Sequence, residues 1–544
     1  MTGSAALLVA IPGAPLVAAL FAVLAGRRPS MARMVNIVGA AAAGVSLLSS
    51  LLLAVVVFRP GAGALSADLW PGSAGAPPLA LVGDRISAAL VLLVCSVSTV
   101  VQLFAGRYLA GDARAGWFTA ATGLLTSASA GLMSAGTLLT FAICWSVAGL
   151  AMWLLLGTYR HLPASRDGQI RTARAFVVGD GALWLAVILA SARFGTVTLH
   201  QPDLQPLARH PAAMTAISCL LVIAALSRSA QLPLPAWLPS TLAAPTPVSA
   251  LLHAGVVNAG GVLLIRLAPL IRPSAAGSVL AVTAALASIV YAGVLMLVKP
   301  DIKGALTRST MAQMGFMILT GGLGLYAATL FHLIAHGLYK ASLFLSSGTE
   351  TDRVRRGQAA PPAPHRTRGR RAGARTLALI TPPAALLAAD YILPSGPHTA
   401  STQTLLLFAW ASAATVLHSW LRRATGLGSA LSFTGLVGAA VVGYAALVQG
   451  FARALDPALP TFASVSAAPW LLLAAALGLG GLSALIRFGG ASRLAGLQQT
   501  LYAYALAASD VTPTHVLFCN PRLISQRRRR TDLRSGLATA GAAQ

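Results

Sequence analysis

Apolar runs of about 18 residues or more recur along the whole of this 544-residue chain, and each is long enough to cross a hydrocarbon core about 30 Å thick as a helix. The spans read at 5–25, 34–57, 79–104, 117–135, 137–157, 176–191, 212–232, 246–265, 276–298, 305–322, 324–347, 376–393, 402–420, 431–450 and 469–486, which makes 15 crossings. The fold class that follows is all-α, a polytopic transmembrane bundle of about 13–15 helices with discontinuous helices and inverted repeats. The first span carries no obvious cleavage pattern and reads as a retained helix.

Composition agrees. Apolar residues are 56% and charged residues only 10% of the chain, far from the roughly 25% charged usage of soluble domains, so an ordinary soluble globule is excluded. A net charge of +26 raises the question of nucleic acid, but a nucleic-acid partner needs the cations on one folded surface. Here they lie between spans. With the N-terminus outside, 30 of the 39 Lys and Arg fall in the segments 26–33, 105–116, 158–175, 299–308, 348–375, 421–430 and the C-terminal tail. Only Arg59, Arg193, Arg209, Arg266, Arg272 and Arg453 fall in the opposite loops. The positive-inside rule therefore predicts a multi-pass protein of the cell membrane with the C-terminus cytoplasmic and no nucleic-acid partner. The lipid bilayer itself is the first partner, and the excess charge attracts its anionic headgroups.

The chain divides into N-terminal membrane helices (1–104), a core (105–350), a basic cytoplasmic loop (351–375), C-terminal membrane helices (376–486) and a basic cytoplasmic tail (487–544). The four cysteines, Cys95, Cys144, Cys219 and Cys519, are scattered without a CxxC pair and read as apolar filler. There is no glycine-rich dinucleotide or P-loop motif, no HExxH and no GxSxG. No cofactor, no metal and no enzymatic activity of its own are expected.

Segment 228–250 is the most unusual. Pro233, Pro235, Pro239, Pro245 and Pro247 cannot share one regular helix, because each interior proline removes an amide donor and clashes with the preceding turn. A broken helix is expected around Pro233 and Pro235. Breaks at membrane depth are tolerated where they line a cavity and mark ion sites in transporters; a connecting loop with proline-rich helix starts is the other reading. Arg228, just before the break, is an intramembrane cation that needs an anion or many carbonyls, and Asp180 is its best candidate partner. Asp84 and Arg85 read as interfacial.

Only three of the basic residues are lysine, Lys299, Lys303 and Lys340, and lysine, unlike arginine, can exchange its proton when buried. Lys340 shares an apolar run with His332 and His336. Spacings of four residues put all three on one helix stripe about 12 Å long, a pattern suited to proton relay. Static interhelical hydrogen bonds are the competing reading. For His253, alone in its run, both readings stand open.

Three segments then identify a resemblance. RSAQLPLPAWLPSTLAAPTPVSALLHAGVVNAGGVLLIRL, DIKGALTRSTMAQMGFMIL and HLIAHGLYKASLFLSSG, in that order, resemble the signature segments of the proton-conducting antiporter-like family. That family includes subunit L of NADH:quinone oxidoreductase and the large Mrp antiporter subunit. The resemblance covers roughly 79–350. Within it, RYLAGDARAG at 107–116, ARAFVVGD at 173–180 and LLHAGVVNAGGVLLIRLAPL at 251–270 are similar to the DabB-type membrane subunits of two-part inorganic carbon pumps. The resemblance implies a subunit conducting protons or another cation such as sodium, which energises CO2/bicarbonate uptake with a DabA-type zinc-containing soluble subunit at the cytoplasmic face. The other reading it allows is a proton-pumping subunit L-like component or an Mrp-type cation/proton antiporter. By resemblance, His253, His332, His336 and Lys340 take the places of the family's pathway residues. Two departures stand out: Trp145-Ser146 replaces the respiratory Trp-Glu, and Arg228-Ser229-Ala230-Gln231 replaces Lys-Ser-Ala-Gln. Without that Glu/Lys pair, a gated or one-half-channel pathway through His332, His336 and Lys340 is expected.

Overall fold

The computed structural model describes residues 3–26, 28–70, 78–200, 210–298, 302–346, 368–393, 400–421, 427–455, 458–460, 499–500 and 503. Over these residues the chain is a bundle of 16 helices and one small hairpin. Helices α1 (Gly3–Ala25) and α2 (Ala32–Val57) precede strands β1 (Leu65–Trp70) and β2 (Leu79–Gly83). Then come α3 (Arg85–Tyr108), α4 (Ala115–Met133), α5 (Leu138–Leu156), α6 (Pro163–Phe194) and α7 (Pro211–Arg228). After the proline-rich segment follow α8 (Thr246–Ala254), α9 (Ala259–Arg266), α10 (Ala268–Ile271), α11 (Ala275–Val298), α12 (Ile302–Gly322) and α13 (Tyr326–Leu345). The last three are α14 (Arg368–Ile392), α15 (Ala400–Leu421) and α16 (Leu427–Leu455).

Among the described residues, ten helical segments are long and apolar enough to cross a membrane. The remaining predicted spans within the described residues are also helices, namely α4, α12, α13 and α14; their lower apolarity has reasons that differ. Helix α4 is buried along nearly its whole length, so it needs small residues for close packing instead of a lipid-facing apolar surface. At Gly123, for instance, a Cβ would come within 2.7 Å of the Pro15 carbonyl oxygen on α1. Helices α12 and α13 carry the polar groups described below. One extended core joins α1 to α13, while Ala378, Leu417, Leu421, Val437 and Val441 form a smaller core between α14, α15 and α16. Phe331 of α13 meets Tyr444 and Phe451 of α16 edge-on, which brings α16 against the larger core.

Four expectations need correction. Residues 79–83 are not the start of a span but strand β2, paired antiparallel with β1 from Leu65↔Gly83 to Trp70↔Leu79. The helix begins only after Asp84, whose carboxylate caps it by accepting from the Ser87 amide at 2.7 Å. The loop expected at 158–175 is helical from Pro163 onward: proline suits a first helical turn, and Arg171 pairs with Asp167 at 2.8 Å across one turn. The span 246–265 is two half-helices, interrupted by a tight turn at Val256–Asn258. Finally, α14 starts at Arg368, inside the segment read as a basic loop. The expected span 469–486 and residues 351–367 of that loop lie outside the described residues.

Candidate functional site

The break after α7 is built by its last residues. Ala230 has φ 53°, in the left-handed region, and the Ala230 and Gln231 amides reach back to the Ser227 and Leu226 carbonyls at 3.2 and 2.9 Å. This is the Schellman ending of a helix, normally given to glycine. The chain then runs through Pro233 and two short 3-10 turns, Pro235–Trp237 and Pro239–Ala243, before α8. Trp237 pins the segment by donating its indole N–H to the Ser227 carbonyl at 3.0 Å.

Arg228 closes α7 with 2% exposure. Its Nη2 donates to Asp180 Oδ1 of α6 at 2.6 Å and to the Trp145 carbonyl of α5 at 3.3 Å. The guanidinium carbon lies 4.7 Å from the Trp145 ring centroid and 4.1 Å from that of Phe176, a cation–π enclosure. Trp145 Nε1 also donates to Asp180 Oδ1, at 2.9 Å. Gly149 makes the space, since a Cβ there would stand 2.6 Å from Arg228 Nη1. Ser146 accepts from Trp184 Nε1 at 3.0 Å.

The second group lies on α13. Lys340 is 1% exposed, and its Nζ donates to Ser309 Oγ at 3.0 Å and to the Leu306 carbonyl at 3.4 Å, both on α12. His332 and His336 stack with centroids 5.8 Å apart. Both ring nitrogens of His336 and Nε2 of His332 are buried without a hydrogen-bond partner. His253, near the end of α8, lies flat on Phe344 of α13, 4.2 Å between centroids and 6° between planes, and its Nδ1 is likewise unpartnered. His332 also lines an apolar cleft of about 390 Å³ together with Phe316, Phe408, Val441 and Tyr444.

Asp180 and Arg228 are therefore in direct contact, and His253, His332, His336 and Lys340 gather on and beside α13. The two groups share no hydrogen bond among the described residues. Gln231, in the break, donates its Nε2 to the Ser229 carbonyl at 2.7 Å and to the Met311 carbonyl of α12 at 3.2 Å, and its Oε1 is buried and unpartnered. Ser309 and the pair Asp84–Arg266 were not anticipated: Arg266 grips Asp84, at the start of α3, with two N–H groups at 2.6 and 2.7 Å. Arg85 is also committed, donating to the carbonyls of Val57 at 3.3 Å and Ala454 at 3.0 Å, a favourable place for a cation near helix C-termini. Among the described residues no three His, Cys, Asp or Glu side chains are grouped to hold a metal ion.

Residues 135–359 match the family described as NADH:quinone oxidoreductase/Mrp antiporter, transmembrane. A probable inorganic carbon transporter subunit DabB1 of Halothiobacillus neapolitanus is 36% identical over 292 residues, 52% of each chain. NADH-quinone oxidoreductase subunit L of Mycobacterium tuberculosis is 34% identical over 271 residues, 49% of this chain and 42% of the relative. The chain thus spans about half the length of these curated relatives. In fold it is similar to a chain of the Mrp complex from Dietzia sp. DQ12-45-1b, with TM-score 0.60, 22% identity and coverage of 98% of this chain and 63% of that one. It is also similar to a chain of the membrane-bound sulfane sulfur reductase, an archaeal respiratory membrane complex, with TM-score 0.55, 16% identity and coverage of 93% and 97%.

Proposed function

We propose, from the match of residues 135–359 to the family described as NADH:quinone oxidoreductase/Mrp antiporter, transmembrane, that this chain conducts protons along α13 as the energy-coupling membrane subunit of an inorganic carbon uptake complex. The observation that carries the reading is the state of Lys340. It is a buried amine whose hydrogen-bond partners, Ser309 Oγ and the Leu306 carbonyl, are both neutral. A permanently charged group in such a place is costly, and an apolar side chain of similar size would pack as well. A lysine has one property an apolar residue or an arginine lacks there, the ability to give its proton up. One and two turns away on the same stripe stand His336 and His332 with unpartnered nitrogens, able to accept and pass it on. The Arg228–Asp180 ion pair beside the break is fixed, with an arginine that keeps its proton, so the pathway uses the α13 half alone. The likeness to DabB1 of H. neapolitanus favours CO2/bicarbonate uptake as the work done, with a DabA-type zinc-containing soluble subunit as partner at the cytoplasmic face.

A second reading is kept by the similarity to subunit L of M. tuberculosis: a proton-pumping subunit of a quinone oxidoreductase or an Mrp-type antiporter. The genes beside this one discriminate, a large zinc protein for the first reading and oxidoreductase or Mrp subunits for the second. The test of function is rescue of a strain that requires high CO2 by this gene with its neighbour, with Lys340→Ala as the control. Rescue is expected from the parent and lost in the variant, and unimpaired rescue by Lys340→Ala refutes the relay.

A further inference from the structure

The discontinuous helix α8–α9 is interrupted by a 3-10 turn at Val256–Asn258, which can serve as a hinge, and carries Arg266 at its far end. We propose that Arg266 and Asp84 form a latch that holds α9 against α3 and closes the bundle at that end. The proposal rests on the conduction reading and adds to it the group that keeps the pathway from leaking.

Several observations meet there. Arg266 Nη1 and Nη2 donate to Asp84 Oδ2 and Oδ1 at 2.6 and 2.7 Å, the parallel fork that gives an ion pair both strength and orientation. Nη2 also reaches Ser87 Oγ and, at 3.3 Å, the Met133 carbonyl at the end of α4. Both side chains are nine-tenths buried, at 9% and 10% exposure. Asp84 is at the same time the N-cap of α3. The pair thus fastens the end of a half-helix to the starting turn of one whole helix and the last turn of another. Its place is the end of α3 opposite Arg107, away from the arginine-rich loops. Arg266 is not saturated: its Nε is buried without a partner, and the residue lines a small cavity with Val197, Thr198, Leu199, Leu267 and Leu270.

Packing alone does not call for such a pair. Apolar residues of similar volume commonly replace a buried ion pair at no loss of stability, and the best-attested use of one is to fix register or to switch. Here the register fixed is that of α9 relative to α3, and through the hinge it bears on α8, which carries His253. Releasing Arg266 lets α9 turn about its hinge and admits water along α3.

The test uses the full chain reconstituted in vesicles with an entrapped pH-sensitive dye. Asp84→Asn keeps an oxygen acceptor for the Ser87 amide, so α3 stays capped, but it strips the charge from the latch. Arg266→Gln strips the other charge and leaves the cap untouched. Each single variant is expected to raise passive proton leak about tenfold, a small part of what unpairing a buried charge does to an equilibrium. The double variant Asp84→Asn/Arg266→Gln buries no charge and is expected to return to within about twofold of the parent, a non-additivity that only direct coupling gives. Single variants as tight as the parent, or a double variant at least as leaky as the singles, overturn the latch. Lys340→Ala is measured beside them: unchanged gradient-driven flux in that variant defeats the conduction reading, whereas a normal loss there with unresponsive Asp84 and Arg266 variants defeats the latch alone.

Discussion

Removing the carboxylate of Asp180 is the sharpest perturbation of the first break. In Asp180→Ala, Arg228 keeps the Trp145 carbonyl at 3.3 Å and the two aromatic faces, contacts present before and after that offset nothing new. What is lost is the acceptor at 2.6 Å, and a buried charge deprived of its partner costs about 3–5 kcal/mol. The Asp180 side chain is 23% exposed, so polar surroundings reach the site and the low end, about 3 kcal/mol, is expected. Trp145 Nε1 loses its acceptor as well, a penalty of about 1 kcal/mol after overlap with the first. Asp180→Asn keeps an oxygen toward both donors and should lose about half as much. Arg228→Met/Asp180→Leu buries neither charge and should lie within about 1 kcal/mol of the parent. Reversible unfolding in mixed micelles measures all three against Asp68→Ala, an exposed strand position where about 0.5 kcal/mol or less is expected. If Asp180→Ala costs no more than Asp68→Ala, or the double variant costs more than either single, the pair is not the coupled buried unit described here.

Two further outcomes follow from contacts elsewhere. His253→Phe retains an aromatic face for Phe344, now 4.2 Å from the imidazole, so its stability should change by less than about 1 kcal/mol; a fall in proton flux without a fall in melting temperature then assigns His253 to the pathway, and unchanged flux removes it. In the loop after α3, the Tyr159 hydroxyl donates to Asp112 Oδ2 at 2.6 Å, and this bond, helped by the Arg114 amide and charge, holds the Asp112 carboxyl below its ordinary value. A depressed carboxyl pKa stabilises above the unfolded value, and the benefit is lost as pH falls through the folded one. Tyr159→Phe should therefore flatten the acid side of a melting-temperature profile while leaving the neutral side nearly level, and an unaltered acid slope refutes the contact's role.

Much of the fold was legible because the length of an apolar run is a local property, and a membrane makes that property decisive. The errors have physical sources. Leu79–Gly83 is as apolar as a helix start, and only its pairing with Leu65–Trp70 makes it a strand. The turn at Val256–Asn258 carries neither proline nor charge, so nothing in its composition marks the second break. Among the candidate site residues, four-residue spacing was enough to align His332, His336 and Lys340, and a shortage of carboxylates was enough to suggest Asp180 for Arg228. Ser309 could not be singled out, since hydroxyls abound on these helices, and the Asp84–Arg266 contact spans 182 residues that no local pattern bridges.

The two polar groups differ in what their cations can do, and under the proposed conduction that difference limits the pathway. At the first break Arg228 is enclosed by Asp180, Trp145 and Phe176 and, as an arginine, keeps its proton. The serine at 146 is occupied by Trp184, and the Asp180 carboxylate of α6 balances the local charge, so no readily titratable cation stands there. On α13 the balance is reversed: Lys340 has neutral partners and stands in line with unpartnered histidines. A proton can be exchanged there without any carboxylate having to follow it, whereas at Arg228 none can be exchanged at all. Under the conduction proposed above, protons therefore enter and leave through the α13 stripe, while the Arg228–Asp180 pair stays fixed.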